Sequence, residues 1–258
     1  MNRFFLLVLL LLYISAKSFA QPSIPAVFVT KAPTIDGRLN DAAWASAVKV
    51  DQFVQREPNR GQPVSEKTNF FICYDANFLY VGIKCFDDPK KITAKEMARD
   101  VSLGNDDRIQ VILDTYLDHR TGYGFNTNAA GAQRDVQATD NGRRNDANWD
   151  GVWFSRSKVL ANGWSTEIVV PFKTLRFPSG DEQTWGLNMQ RVIRRKNEYA
   201  TWSPVPRQFS HYSVSYAGLL TGITGVKSRS SDLRITPFTT ASATTTTSPT
   251  STRSASRS

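Results

Sequence analysis

Between residues 68 and 204 the chain is a series of short runs in which apolar and polar residues alternate, broken by turn residues about every ten positions, with almost no sustained helical period. Period-two alternation gives each run one core-facing side, and runs this short with tight turns build sheets that must cover one another. TNFFICYD (68–75) and FLYVGIKCFD (78–87) flank a turn at Asp75, Ala76 and Asn77. Residues 121–138 read as a strand, a glycine turn and a return strand, and residues 152–172 as a hairpin turning at Asn162-Gly163. Residues 184–195 and 198–204 make a further hairpin. In DDRIQVILDT (106–115) Ile109, Val111 and Leu113 alternate with Arg108, Gln110 and Ile112, with acids at both ends that belong on loops. The expected fold is all-β, an antiparallel β-sandwich of jelly-roll type.

The ends of the chain read differently. Residues 1–20 combine Arg3, an apolar run at 4–14, and small residues Ser18 and Ala20 before a cut, the pattern of a secretory signal peptide. The run is short of the roughly 20 residues that span a bilayer. Residues 21–226 are expected to form one domain. Residues 227–258 hold one further possible strand, DLRITPF (232–238), and a Ser/Thr-rich tail without core-forming residues, expected to be disordered.

The formal net charge of +9 is unevenly placed. Arg3 and Lys17 account for +2 and residues 227–258 for +4, which leaves +3 for residues 21–226. So small an excess argues against a phosphate-binding surface, and export makes nucleic acid an unsuitable partner. The two cysteines suit an oxidising compartment, yet the hairpin puts Cys73 beside its turn and Cys85 at its far end. That is several rises of about 3.4 Å, beyond the ~7 Å Cα spacing of a disulfide, so two separate thiols are expected. In PTIDGRLNDAAWASA (33–47), Asp36-Gly37 is a turn signal and Trp44 follows a short helical turn that tucks it inward.

Catalytic chemistry finds little support. The two histidines, His119 and His211, lie near no G-x-S-x-G elbow or H-E-x-x-H spacing and read as surface or turn residues. Asp106, Asp107 and Asp114 read as solvated loop acids, not as the carboxylate pair of a glycosidase. The sharper signal is Asp146-Ala147-Asn148-Trp149-Asp150-Gly151, which fits the opening of a calcium loop, although Ser157 stands where an EF-hand places its glutamate. Asp135 is a further candidate ligand, with Asp140 and Asp106 near it in the pattern. The alternative is an Asx turn in which these side chains bond their own backbone. Trp149, inside this polar loop, is the tryptophan expected to face outward as a platform for a sugar ring, with Trp153 beside it.

The motif series RDVSLGNDDRIQVILDTYLD (99–118), GFNTNAAGAQRDVQATDNG (124–142), NDANWDGVW (145–153) and GWSTEIVVPFKTLRFP (163–178) resembles the family 9 carbohydrate-binding module. The likeness is to the version found at the N-terminus of large secreted or outer-membrane proteins of Bacteroidetes-type bacteria, and it covers about residues 33–207. It implies a β-sandwich that holds an oligo- or polysaccharide and often Ca2+, in company with glycoside hydrolases or an outer-membrane β-barrel. The polar positions of the motif fall on Arg99, Asp107, Asn126, Arg134, Asp135, Asp150 and Glu167. A competing expectation is a periplasmic docking or plug domain of an outer-membrane barrel protein whose barrel is not in this chain.

Overall fold

The computed structural model describes residues 21–228; the expected signal peptide (1–20), the 232–238 strand and the Ser/Thr-rich tail lie outside the described residues. Among the described residues fourteen strands form two facing sheets. The larger runs β1 (Ser23–Pro25), β14 (Gly218–Thr224), β12 (Glu182–Ile193), β6 (Arg108–Asp114), β7 (Gly122–Asn128), β8 (Gln133–Thr139) and β9 (Arg144–Asp146). β13 (Glu198–Thr201) pairs with the later part of β12 and with β3 (Val54–Glu57). The smaller runs β10 (Phe154–Leu160), β11 (Gly163–Pro171), β5 (Phe78–Phe86), β4 (Thr68–Tyr74) and β2 (Val27–Phe28). The hairpins stand where alternation put them, and Asn162-Gly163 turns β10 into β11 with Gly163 at φ +129°.

The sandwich is not wholly antiparallel. β1 pairs parallel with β14, and β2 pairs parallel with β4. Both parallel strands come from the extended, proline-rich stretch after residue 21, so one short segment contributes to both sheets. Such pairing joins residues distant in sequence, and local alternation cannot show it.

Between the sheets lies the main core. Phe70, Ile72, Val81, Ile83 and Cys85 from the small sheet meet Ile109, Val111, Leu113, Phe125, Leu187 and Met189 from the large one. Each fully buried residue of this kind contributes about 1.5–3 kcal/mol. A second cluster caps the outside of the small sheet, where α1 (Ala42–Ser46) lays Ala43 and Trp44 over Cys73, Tyr80 and Val169. Gly82 permits this: a Cβ there would come within 2.9 Å of the Trp44 ring. Cys73 and Cys85 thus belong to different clusters on opposite faces, and burial pushes their thiols up to about 12 and about 11. Both are free, in keeping with the register Cys73↔Tyr80 and Thr68↔Cys85.

The acids at the ends of β6 are buried, not solvated as expected. Asp106 accepts from Lys95 N, Glu96 N and Asn128 Nδ2, and Asp114 accepts from Asp118 N and His119 N. Carboxylates that collect backbone N–H groups stand in for secondary structure and fix the loops around β6. Among the described residues no helix is long and apolar enough to cross a membrane.

Candidate functional site

Three of the residues expected to meet a sugar are structural instead. Trp153 is only 2% exposed and packs edge-on against Phe125 in the core. Asp107 is buried at the head of β6, where Oδ2 accepts from Thr93 N at 2.7 Å and Oδ1 from Arg194 N at 2.6 Å. Glu167 on β11 is fully buried, and its oxygens take Asp36 N at 2.9 Å, Gly37 N at 2.7 Å and Trp44 Nε1 at 2.8 Å. Burial raises the pKa of both acids against the effect of these bonds. Both carboxylates are already used by the loops they anchor, and Trp153 is enclosed in the core.

The loop expected to hold calcium is arranged around an arginine. Arg99 Nη2 bonds Asp135 Oδ1 at 3.1 Å, Asp150 Oδ1 at 2.6 Å and the carbonyl of Gly151 at 3.0 Å. Asp135 is fully buried and also accepts from Gly151 N. Asp146 and Asn148 are exposed, with Asp146 Oδ1 accepting from Asn148 N in an Asx turn. Two of the four candidate ligands are thus claimed by a guanidinium and the other two stand apart from them. Among the described residues no three His, Cys, Asp or Glu side chains are grouped to hold a metal ion. As arranged, this set does not fit a calcium shell of six to eight oxygens.

Trp149 is half-buried, not free. Its ring rests on Tyr123 (centroids 5.0 Å) and Phe125 (6.0 Å) at the edge of the main core. The remaining side lines a cleft of about 710 Å³ with Tyr123, Gln137, Asp150, Lys173 and Arg176. It keeps one face available, at the cost of being part of the packing.

A different surface gathers unsatisfied polar groups. Alternation turns Phe125 and Val111 into the core, so Asn126 and Gln110 point to the outer face of the large sheet. The register Thr201↔Gln190↔Gln110↔Asn126↔Arg134 then sets five polar side chains in one row across β13, β12, β6, β7 and β8. Gln110, Asn126 and Gln190 are each no more than 4% exposed, and Gln190 Nε2, Thr201 Oγ1 and Arg134 Nε are buried without a hydrogen-bond partner. Buried polar atoms are nearly always paired, because each unpaired one costs roughly 1–3 kcal/mol. A row of exceptions on one face marks a place where a ligand or water completes the bonding.

The segment after Trp202 makes the wall of this row. Val214 and Tyr212 lie flat on the sheet with Ile112, Val136 and Ala138. Gly124 lets them approach: a Cβ there would fall 2.7 Å from Tyr212 Cε1. Tyr212 lies against His211 with ring centroids 4.4 Å apart and planes tilted by 41°; the His211 carbonyl accepts from Gln110 Nε2 at 3.3 Å, while Asn126 Nδ2 reaches Tyr212 Oη at 3.3 Å. The result is a groove of about 240 Å³ walled by His211, Tyr212 and Leu103, with Arg108, Gln110, Asn126 and Arg134 presented to it. Burial drives His211 down to about 4, helped by Arg108, Arg56 and Arg134. His211 is therefore a half-buried neutral ring on the groove, in a turn as one of the two expectations had it.

Residues 35–203 match the family model described as carbohydrate family 9 binding domain-like. The chain belongs to that family. This family 9 domain shares its fold with a Bacteroides uniformis ATCC 8492 protein inferred to bind carbohydrate (TM-score 0.64, 15% identity, 78% of this chain and 99% of that one). It also resembles a family 9 module from Caldicellulosiruptor kristjanssonii, solved with cellotriose (TM-score 0.54, 16% identity, 84% and 100% covered) and with glucose (0.55, 15%, 83% and 100%). No protein of curated function matches the sequence. The family match contains Arg108, Gln110, Asn126, Arg134 and Gln190 of the family 9 domain but ends before His211 and Tyr212. Of the residues expected from sequence to meet a sugar, the structure brings Asn126 and Arg134 together in the groove and leaves Arg99, Asp107, Trp149, Trp153 and Glu167 elsewhere. Arg108 and Gln110 were readable as the outward side of β6, but only register shows what they face. Nothing in the local sequence signals His211 and Tyr212.

Proposed function

We propose that this family 9 domain is a carbohydrate-binding module whose saccharide sits in the groove on the outer face of the large sheet. One observation carries the reading. The Arg134 guanidinium forms neither a hydrogen bond nor an ion pair among the described residues, its Nε is buried, and it closes a row of amide and hydroxyl groups. Sugar rings offer hydroxyls at their edge and C–H surface on their face, and the groove supplies polar groups along its floor with aromatic rings on one wall. Its volume holds roughly eight waters, room for one sugar ring.

The test is an oligosaccharide binding screen on the mature domain, with Asn126→Ala and Arg134→Ala as variants and the cellotriose and glucose of the related modules among the probes. Binding weakened at least tenfold in both variants, with the melting temperature kept in Arg134→Ala and the domain still folded in Asn126→Ala, is the expected result. Unchanged affinity in both would remove the groove as the site. An exported location is part of the same proposal, supported by the signal-peptide pattern of residues 1–20 and checked by finding Gln21 at the mature N-terminus. Company with glycoside hydrolases or an outer-membrane β-barrel is supported by the family resemblance alone, and co-purification from the native cell envelope checks it.

A further inference from the structure

The groove has an unusual charge balance for a surface built to hold neutral sugars. Its lining contains Arg108 and Arg134 and no Asp or Glu. Neither arginine has an ion-pair partner among the described residues: Arg108 Nη1 donates to the carbonyls of Leu103 at 3.0 Å and Gly104 at 3.3 Å, and the Arg134 head donates to nothing. Arg56 stands nearby, donating to the carbonyls of Phe209 and Arg207, and its Nε is likewise buried and unpaired. The carboxylates just before β6, Asp106 and Asp107, are buried and already taken up by backbone N–H and amide donors.

Two cationic groups therefore line the groove with no carboxylate beside them. Arginine donates through five N–H groups and accepts through none, whereas Gln110 and Asn126, whose amide N–H groups go to His211 O, Arg134 O and Tyr212 Oη, keep amide oxygens that can accept. A sugar hydroxyl can use those oxygens, but it leaves two cationic groups without a counter-charge. A group that only accepts, with two or more coplanar oxygens and a negative charge, answers a planar guanidinium fork far better. His211 is held down mainly by burial, and Arg108, Arg56 and Arg134 add to that in the same sense.

We propose that the groove selects sugars bearing an acidic group, a uronate carboxylate or a sulfate ester, seated on the Arg134 fork with Arg108 as the second cation. This rests on the groove being the saccharide site. The anionic group and the ring share the room available, so the ligand is held by a single acidic unit of a chain and not along several units.

Isothermal titration with trigalacturonate, an alginate trisaccharide, a κ-carrageenan oligosaccharide and cellotriose tests it, using the intact domain and Arg134→Gln and Arg134→Lys variants of verified melting temperature. At least one acidic probe should bind ten times or more tighter than cellotriose, weakening as salt rises. Arg134→Gln should bring that probe down to the cellotriose level, and Arg134→Lys should keep part of the preference by keeping the charge without the fork. The uronate and sulfate arms say which acid is meant. Equal binding of cellotriose and the acidic probes, lost together in Arg134→Gln, would overturn the charge selection and leave the groove as a neutral-sugar site. Absence of any saccharide binding would overturn both readings, as would tight acidic binding indifferent to Arg134.

Discussion

Glu167→Gln separates a structural from a ligand-contacting role with one atom exchanged. In the folded chain Oε2 accepts from Asp36 N and Gly37 N, and Oε1 from the Trp44 indole. The amide can place its oxygen on only one of these sides, so at least one N–H faces an NH2 group and is stranded at about 1–3 kcal/mol. Bonds that remain fall from charged to neutral strength, a loss of about 1 kcal/mol each. Removing the buried charge returns some of this, because burial already opposes ionisation at Glu167. The net is about 3 kcal/mol, which for a domain of this size lowers the melting temperature by about 6–12 °C. Thermal unfolding by circular dichroism reads the first part, and titration with a bound saccharide at 25 °C reads the second, with affinity expected to stay within twofold. An unchanged melting temperature accompanied by lost saccharide binding would refute the assignment and return Glu167 to the ligand.

Trp149→Ala should cost about 2 kcal/mol, because a half-buried ring leaves Tyr123 and Phe125, and should weaken saccharide binding less than Arg134→Ala does; thermal melts with the same titration decide it. EDTA should leave the melting temperature unmoved, whereas Arg99→Ala should lower stability by about 2 kcal/mol through stranding Asp135; a rise of several degrees on adding millimolar Ca2+ would contradict the fit argued for that loop. The folded pKa of His211, about 4, lies below its unfolded value, so the folded state binds fewer protons and stability falls as pH drops from about 6.5 towards 4, by at most about 3 kcal/mol. The buried carboxylates Asp107, Asp114, Asp135 and Glu167, all raised, act in the opposite sense, so the measurement is the difference between wild type and His211→Gln, whose pH dependence should vanish above about pH 7. Alkylation without reductant should label neither buried thiol in the folded domain and both Cys73 and Cys85 after unfolding, read by mass spectrometry.

The hairpins and the inward Trp44 were legible because alternation and turn chemistry are local. Ile109, Val111 and Leu113 face the core as their spacing demands, and Ile112 faces the other way into the cluster with Tyr212. The site was half legible for a corresponding reason. Asn126 and Arg134 carry the right chemistry, but their becoming neighbours of Gln110 and Gln190 is a property of register across four strands. Asp107 and Glu167 misled because a carboxylate that gathers loop N–H groups has the same sequence appearance as one that meets a sugar. Trp149 misled by half: Asp146 and Asn148 stay in solvent while the ring turns beneath them, so polar neighbours in sequence did not prevent its packing.

The first described residues of the chain complete both layers of the sandwich. Ser23–Pro25 closes against β14 and Val27–Phe28 against β4, with Ala26 between them donating to Thr221 O. During synthesis the opening strand therefore has to wait for the closing one, since Ser23 is matched to Leu219 at the opposite end of the domain. Closing so long a loop is slow compared with forming the hairpins between, which can assemble early from neighbours. The domain thus stays open at one seam until nearly all of it has been made, and that seam is sewn by its two ends.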